Sequence, residues 1–403
     1  MRRISLILFQ LLLLSFFLQL GKHFWLSESL VLGRRVDYLS PTLYISDVLL
    51  FLLGFTVWFR TKNLKVITIG GMLFLSLSLF YFWLTRSLLV FYFELKLLEW
   101  LLLIWLIYKI RPSSKDFIIP ITLGIIVTTA LGVTQFLTQS SLNGAFYWLG
   151  ERTFNASTPG IAQVVAFGRI YLRPYATFPH PNVWGGFLVA LLPFYFATNQ
   201  GDKKNYILKH SGLVAAILGI TISFSRNAWL VAVGIGCFYV HQKLKNQWNK
   251  ILLICLIGLS FFVWEESTLG RFKSLSIVDI DSIQERRQLT DLVLPLWSSS
   301  PLVGIGPGQF IRRLPVLTSL RLFQPVHSIY LLILVEYGIV GGVLLGTVLI
   351  KAGRKTLNDH SPIVYSLIAI GLLGVFDHYF VTLQQTQLLF TFLLGMAFYN
   401  SDS

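Results

Sequence analysis

Residues 325–338, PVHSIYLLILVEYG, put a histidine at the mouth of an apolar run and a glutamate inside it. A histidine side chain, with an ordinary pKa of ~6.5, can take a proton from a hydroxyl near neutrality, so His327 is the first candidate for catalytic chemistry. Glu336 lies nine residues further on. At ~100° per residue it projects from nearly the opposite side of a helix, ~13 Å deeper, and does not partner His327. It is expected to pair with a neighbouring helix, which Gly338, Gly342 and Gly346 at small-xxx-small spacing would let approach closely.

Three other stretches carry groups suited to an anion. In RIYLRPYATFPHPNVWGGFL (169–188), Arg173, His180 and Asn182 precede or open an apolar helix whose N-terminus would attract negative charge. The plainer reading makes Pro-His-Pro-Asn a rigid turn with Asn182 as cap. Arg226, in TISFSRNAWLVAV, sits at a hairpin between two apolar runs, where a charge needs a partner or a purpose. In ERRQLTDLVLPLWSSSPLVGIGPGQFIRR (285–313), Arg286 and Arg287 precede a tight turn at Gly304, Gly306 and Gly308 whose amides could face an anion. That turn lacks the strand and crossover of a dinucleotide fingerprint and is not a Walker loop. Asp377 and His378, side by side in a late apolar run, read as an interhelical hydrogen-bonded pair or as a second functional element. No cluster has the ligand count of a metal site.

The elements that must position these groups are membrane helices. Of 403 residues, 55% are hydrophobic and 13% charged, with a mean hydropathy of +0.68. Apolar runs of this length predict an all-α polytopic membrane protein with about 12 spans. Their cores lie near 4–20, 42–59, 64–83, 88–108, 117–137, 182–198, 207–223, 226–241, 250–264, 327–350, 362–380 and 383–400. The first run reads as a retained helix, since no small-x-small cleavage site follows it. Cys237 and Cys255 fall inside spans, which argues against a disulfide framework.

With the N-terminus cytoplasmic, every inner loop is basic, as the positive-inside rule requires. Two long loops, 138–181 and 265–326, then lie on the outer face, and the whole chain forms one integral membrane domain, 1–403. Leu289, Leu292, Val293, Leu296 and Trp297 recur at helical spacing in the second loop and predict a short amphipathic helix. The net charge of +15 is spread over loops without an aromatic-interleaved stripe, so it gives no ground for a nucleic-acid partner. Assigned this way, the inner face carries 5 Arg and 12 Lys, the outer face 13 Arg and 2 Lys. Lysine suffices for orientation, whereas arginine is favoured where phosphate is held bidentately. Ordinary salt bridges in more structured outer loops would use arginine too; an outward anion site near the membrane surface is the sharper expectation.

The order of TFPHPNVWGGFL, SRNAWLV, ERRQLTDLVLPLWSSSPLVGIGPGQF and VHSIYLLILVEYGIVGG resembles the O-antigen ligase family, over about 170–345. The resemblance implies a GT-C-like fold and a glycosyltransferase of the polysaccharide ligase or polymerase kind. It would move a glycan from a polyprenyl-pyrophosphate carrier to a hydroxyl on a lipid, protein or glycan acceptor, at the outer (periplasmic) face of the cytoplasmic membrane. It further implies inversion at the anomeric centre, no metal and no cofactor. His327 matches the family histidine that activates the acceptor. Arg286, or Arg287 one register on, and Arg226 match the arginines suited to the pyrophosphate. Where the family often carries Asn after that histidine, this chain has Ser328. A transporter or flippase of lipid-linked glycans, with related halves and midplane charges, and a non-catalytic envelope-assembly protein are the competing classes.

Overall fold

Apolar segments leave the backbone no polar partner but itself, and the chain is accordingly mostly helical. The computed structural model describes residues 2–61, 64–166, 168–197, 203–243, 277–317, 322–359 and 361–399. Its helices are α1 (Arg2–Ser15), α2 (Ile45–Thr61), α3 (Leu64–Thr85), α4 (Leu89–Ile110), α5 (Ser114–Thr138), α6 (Pro181–Ala197), α7 (Lys203–Ile222) and α8 (Arg226–Lys243). They continue with α9 (Ile277–Asp291), α10 (Val293–Ser298), α11 (Gln309–Leu317), α12 (Ile329–Asn358), α13 (Ile363–Phe376), α14 (Tyr379–Thr382) and α15 (Gln384–Tyr399). Three two-stranded antiparallel pairs decorate them: β1 (Gly21–His23) with β4 (Thr42–Tyr44), β2 (Leu30–Val31) with β3 (Arg34–Arg35), and β5 (Gln163–Ala166) with β6 (Arg169–Leu172).

Among the described residues, three helices are long and apolar enough to cross a membrane: Thr68–Thr85 within α3, α5 and α12. The expectation of about 12 spans is thereby reached only in part, for reasons the residues supply. Helix α4 has 22 residues but carries Glu94, Lys96 and Glu99. Helices α1 and α13 stop at 14 residues each. The expected span at 250–264 lies outside the described residues. Large apolar side chains point outward from α3 (Met72, Leu79, Trp83) and α12 (Val343, Leu344, Ile350), a surface that suits lipid and not water. The chain is a membrane protein.

Helix α6 lies against α7, α8, α13 and α15. Its Trp184 is fully buried against Gly132 of α5, where an added Cβ would come within 2.4 Å of the indole. One group of interior charges is mutually paired: buried Lys96 of α4 pairs with Asp47 of α2 at 2.9 Å and with Glu99 at 3.1 Å, and Gln384 of α15 donates to Asp47 Oδ1 at 2.5 Å. The expected amphipathic helix exists as α9 and α10, with Leu289, Val293 and Leu296 buried in a second apolar cluster that Leu292 and Trp297 join. Its partners there include Leu332 and Val335 of α12.

Helix α12 departs from its expected form. Gly338 adopts φ 64°, ψ −165° and breaks the helix. The segment 301–306 fills the break: the amides of Ile305 and Gly306 donate to the carbonyls of Val335 and Glu336, and those of Ile339 and Val340 to Pro301 and Leu302. Gly338 thus receives a loop and not a helix, while Gly342 and Gly346 meet nothing within 4 Å. A Cβ at Gly338 would lie 2.3 Å from the Leu302 carbonyl, in a backbone region L-residues avoid. Gly338→Ala is expected to lower the thermal unfolding temperature of the purified protein sharply, and Gly342→Ala to leave it unchanged. Equal stability of the two variants in detergent would refute this account of the break.

Candidate functional site

Where α12 begins and α13 ends, the two packed helices bring opposite termini together, and this juxtaposition builds the site. His327 lies in the bend before Ser328, whose extended backbone (φ −161°, ψ 130°) precedes the first turn of α12. Asp377 is likewise extended (φ −156°, ψ 164°) and ends α13. The run expected to be one span over 362–380 is therefore broken, and its polar pair stands outside the spanning helices.

Asp377 is the hub. Its Oδ1 lies 3.5 Å from His327 Nδ1, an ion-pair distance that falls short of a formed hydrogen bond, and 4.0 Å from His378 Nε2. Its Oδ2 lies 3.9 Å from Arg286 Nη2, while Arg286 Nη1 donates to the Phe376 carbonyl at 2.7 Å. Burial alone would raise the Asp377 carboxyl. The imidazoles of His327 and His378 and the guanidinium of Arg286 outweigh it and hold the group well below the usual carboxylate range. His378 is fixed from its other side, Nδ1 lying 2.7 Å from Thr382 Oγ1, and stands edge-on to Tyr38 at 5.5 Å. Burial drives its pKa down to about 3 against the pull of Asp377. The rings of His327 and His378 are 5.2 Å apart. The donor atoms of His327, Asp377 and His378 all lie within 4.8 Å of one another, so the fold assembles a three-donor group that no run of sequence contains.

A second group forms at the start of α6. Pro181 is the first helical residue. The cap is His180 and not Asn182: its Nδ1 accepts the Asn182 N–H at 3.1 Å and its carbonyl accepts from Val183 and Trp184. Burial, and then the positive charge of Arg173, lowers the His180 pKa to about 3, which keeps the ring a neutral acceptor. Asn182 instead accepts from Arg173 Nη2 at 2.6 Å, and Arg173 also donates to the Ser223 carbonyl at 3.1 and 3.0 Å. Arg173 therefore ties α6 to the corner between α7 and α8. Arg226 opens α8 three residues beyond that carbonyl, with its side chain exposed. Gly185 and Gly186 serve close packing, since a Cβ there would lie 2.6 Å from Ser223 Oγ or 1.9 Å from Tyr379 Oη.

Two amides of the glycine turn are engaged within the protein. The Gly306 amide is spent on the Glu336 carbonyl and that of Gly304 on Ser300, while the Glu336 carboxylate accepts the Phe310 N–H at 3.3 Å. Glu336 is thus held, as expected, by a neighbouring helix, through the N–H of Phe310 in the first turn of α11. A Cβ on Gly304 would strike the Glu336 carbonyl at 2.4 Å, and one on Gly308 the ring of Phe93 at 2.3 Å. Arg286 and Arg287 are told apart: the first reaches Asp377, the second stays exposed.

Three residues at the site were absent from the candidates or only half recognised. Asp377 was visible as a carboxylate in an apolar run. Tyr38 carried no signal. Arg152 belonged to the outward arginine set, and it donates to the Pro179 carbonyl at 3.0 Å beside Tyr175 and His180.

A histidine oriented by a carboxylate, with a guanidinium on the same carboxylate, is an arrangement that can take a proton and meet an anion in one place. No curated protein matches the chain. One family model does, described as O-Antigen ligase, and its match takes in Arg226, Arg286, Arg287, the glycine turn and His327 while stopping short of Asp377. Residues 211–346 of this chain match the O-antigen ligase family model.

Proposed function

We propose that this single integral membrane domain is a glycosyltransferase that transfers a glycan from a polyprenyl-pyrophosphate carrier to a hydroxyl acceptor, at the outer face of the cytoplasmic membrane. The observation that carries the reading is the contact of His327 with Asp377, itself paired with Arg286, within and beside the region that matches the O-antigen ligase model. Once the 3.5 Å gap closes, Asp377 accepts a hydrogen bond from His327 Nδ1–H and leaves Nε2 as the base. Nε2 takes the acceptor proton as its oxygen attacks the anomeric carbon from the face opposite the pyrophosphate. The anomeric C–O bond breaks with its electron pair passing to the pyrophosphate, and the configuration inverts. Arg286 and Arg226 meet the charge that develops there, so the reaction proceeds without a metal. Arg173, Asn182 and His180 act one step back, by fixing the corner from which Arg226 projects. Lipid, protein and a second glycan remain the acceptor classes.

The two adjacent arginines supply a test. In a transfer assay with a polyprenyl-pyrophosphate-linked glycan, Arg286→Lys is expected to lose ~10²-fold in rate. Arg287→Lys, whose side chain is exposed, is expected to stay close to wild type. Equal losses in both, or none in either, would sink the assignment of Arg286.

A further inference from the structure

His327, Asp377 and His378 offer two imidazoles and a carboxylate facing a common point, a donor set that borderline divalent ions take readily. In a tetrahedral zinc site with bonds of about 2.0–2.1 Å, neighbouring ligand atoms stand about 3.4 Å apart. The separations here are 3.5 Å from Asp377 Oδ1 to His327 Nδ1 and 4.0 Å to His378 Nε2, with all three donor atoms within 4.8 Å of one another, and side-chain rotations that draw them together would meet that geometry. The supporting contacts already exist. His378 Nδ1 is engaged by Thr382 Oγ1 at 2.7 Å, which leaves Nε2 as its free ligand atom, the way metal-binding histidines are commonly oriented. His327 Nδ1 has no hydrogen bond. Arg286 stands on the far carboxylate oxygen, Oδ2, so its charge weakens a cation site without occupying the Oδ1 side.

We infer that these three residues form a binding site for a borderline divalent cation, Zn2+ above all, and that occupation switches the transferase off. The chemistry of the switch lies in the imidazole tautomer. A metal on His327 Nδ1 takes the position of the proton that Asp377 otherwise holds there, and the neutral ring then carries its proton on Nε2. The lone pair that would accept the acceptor's proton is gone, and no bond to substrate is needed to stop the reaction. Hard ions such as Mg2+, which prefer oxygen ligands, would not compete for the two nitrogens. The binding follows from this geometry alone; its inhibitory effect rests on His327 being the base.

The test uses the full chain purified in detergent, with ZnCl2 as the probe. Zn2+ is expected to raise the unfolding temperature and to bind with one equivalent. His378→Gln and Asp377→Asn should weaken binding by ~10–100-fold or more. His23→Gln, at a histidine in the β1–β4 pair far along the chain, should bind as wild type. In the transfer assay Zn2+ should suppress the rate by about tenfold or more and a chelator restore it, with Mg2+ inert. No thermal response to Zn2+, or a response unchanged in both site variants, would overturn the site. Stimulation of transfer by Zn2+ would overturn the switch. Because binding is read without substrate, a protein that binds Zn2+ at this site yet transfers no glycan would contradict the proposed function and leave the site standing.

Discussion

Replacing His327 with alanine is expected to reduce glycan transfer by ~10²–10⁴-fold, with the unfolding temperature close to wild type. The size follows from removing the group proposed to accept the hydroxyl proton. The proposed leaving group is a pyrophosphate, already activated, so in this reading deprotonation of the acceptor is the step that most needs the protein. The side chain makes no hydrogen bond, and its closest polar contact is the 3.5 Å approach to Asp377. Its loss should therefore cost little stability. Donor binding should also survive, because Arg286 keeps its bond to the Phe376 carbonyl. The predicted signature is a fall in kcat with KM for the donor unchanged. A folded His327→Ala protein that transfers glycan at the wild-type rate would remove histidine from the mechanism.

Asp377→Asn is expected to cost ~10²–10⁴-fold in kcat, nearly as much as loss of the base itself, though the residue lies outside the matched domain. A carboxylate accepts the Nδ1 proton and so leaves Nε2 bare. An amide can turn its NH2 toward Nδ1, which selects the tautomer protonated on Nε2 and unable to act as base. The same change releases Arg286 Nη2 from its 3.9 Å partner, so a second effect on donor KM should accompany the first. The split separates two roles: kcat reports the tautomer and KM reports the guanidinium. If Asp377→Asn raised KM and left kcat intact, Asp377 would serve only to tether Arg286.

The groups proposed to do the chemistry were more legible than the contacts that bring them together. His327, Arg226 and Arg286 stand out because a base and two guanidiniums beside apolar runs are costly without a reason. The partner of His327 was not legible in the same way. Asp377 is fifty residues away, and only the packing of α12 on α13 brings it near. Periodicity also hid the helix end at Phe376, because an apolar run reads alike whether it continues or stops at a polar pair. The turn at Gly304, Gly306 and Gly308 shows the reverse case. Spaced glycines read equally as an anion nest or as close packing, and here two of the turn's amides are engaged internally, Gly306 on the Glu336 carbonyl and Gly304 on that of Ser300. The same ambiguity misplaced Gly338, which breaks α12 to admit a loop. Span counting suffered from buried charge: Lys96 with Asp47 and Glu99 makes α4 look less like a membrane helix than its outward apolar neighbours.

The central claim is that this chain consumes a polyprenyl-pyrophosphate-linked glycan and hands the glycan to a hydroxyl with His327 as base. The direct measurement is release of polyprenyl pyrophosphate by the purified full-length protein, followed together with formation of the new glycosidic bond in the presence of acceptor. The account predicts equal amounts of the two products from wild type, inverted configuration at the new bond, and neither product above background from His327→Ala. Donor left intact by the wild-type protein with each class of acceptor, or equal release from wild type and His327→Ala, would contradict it.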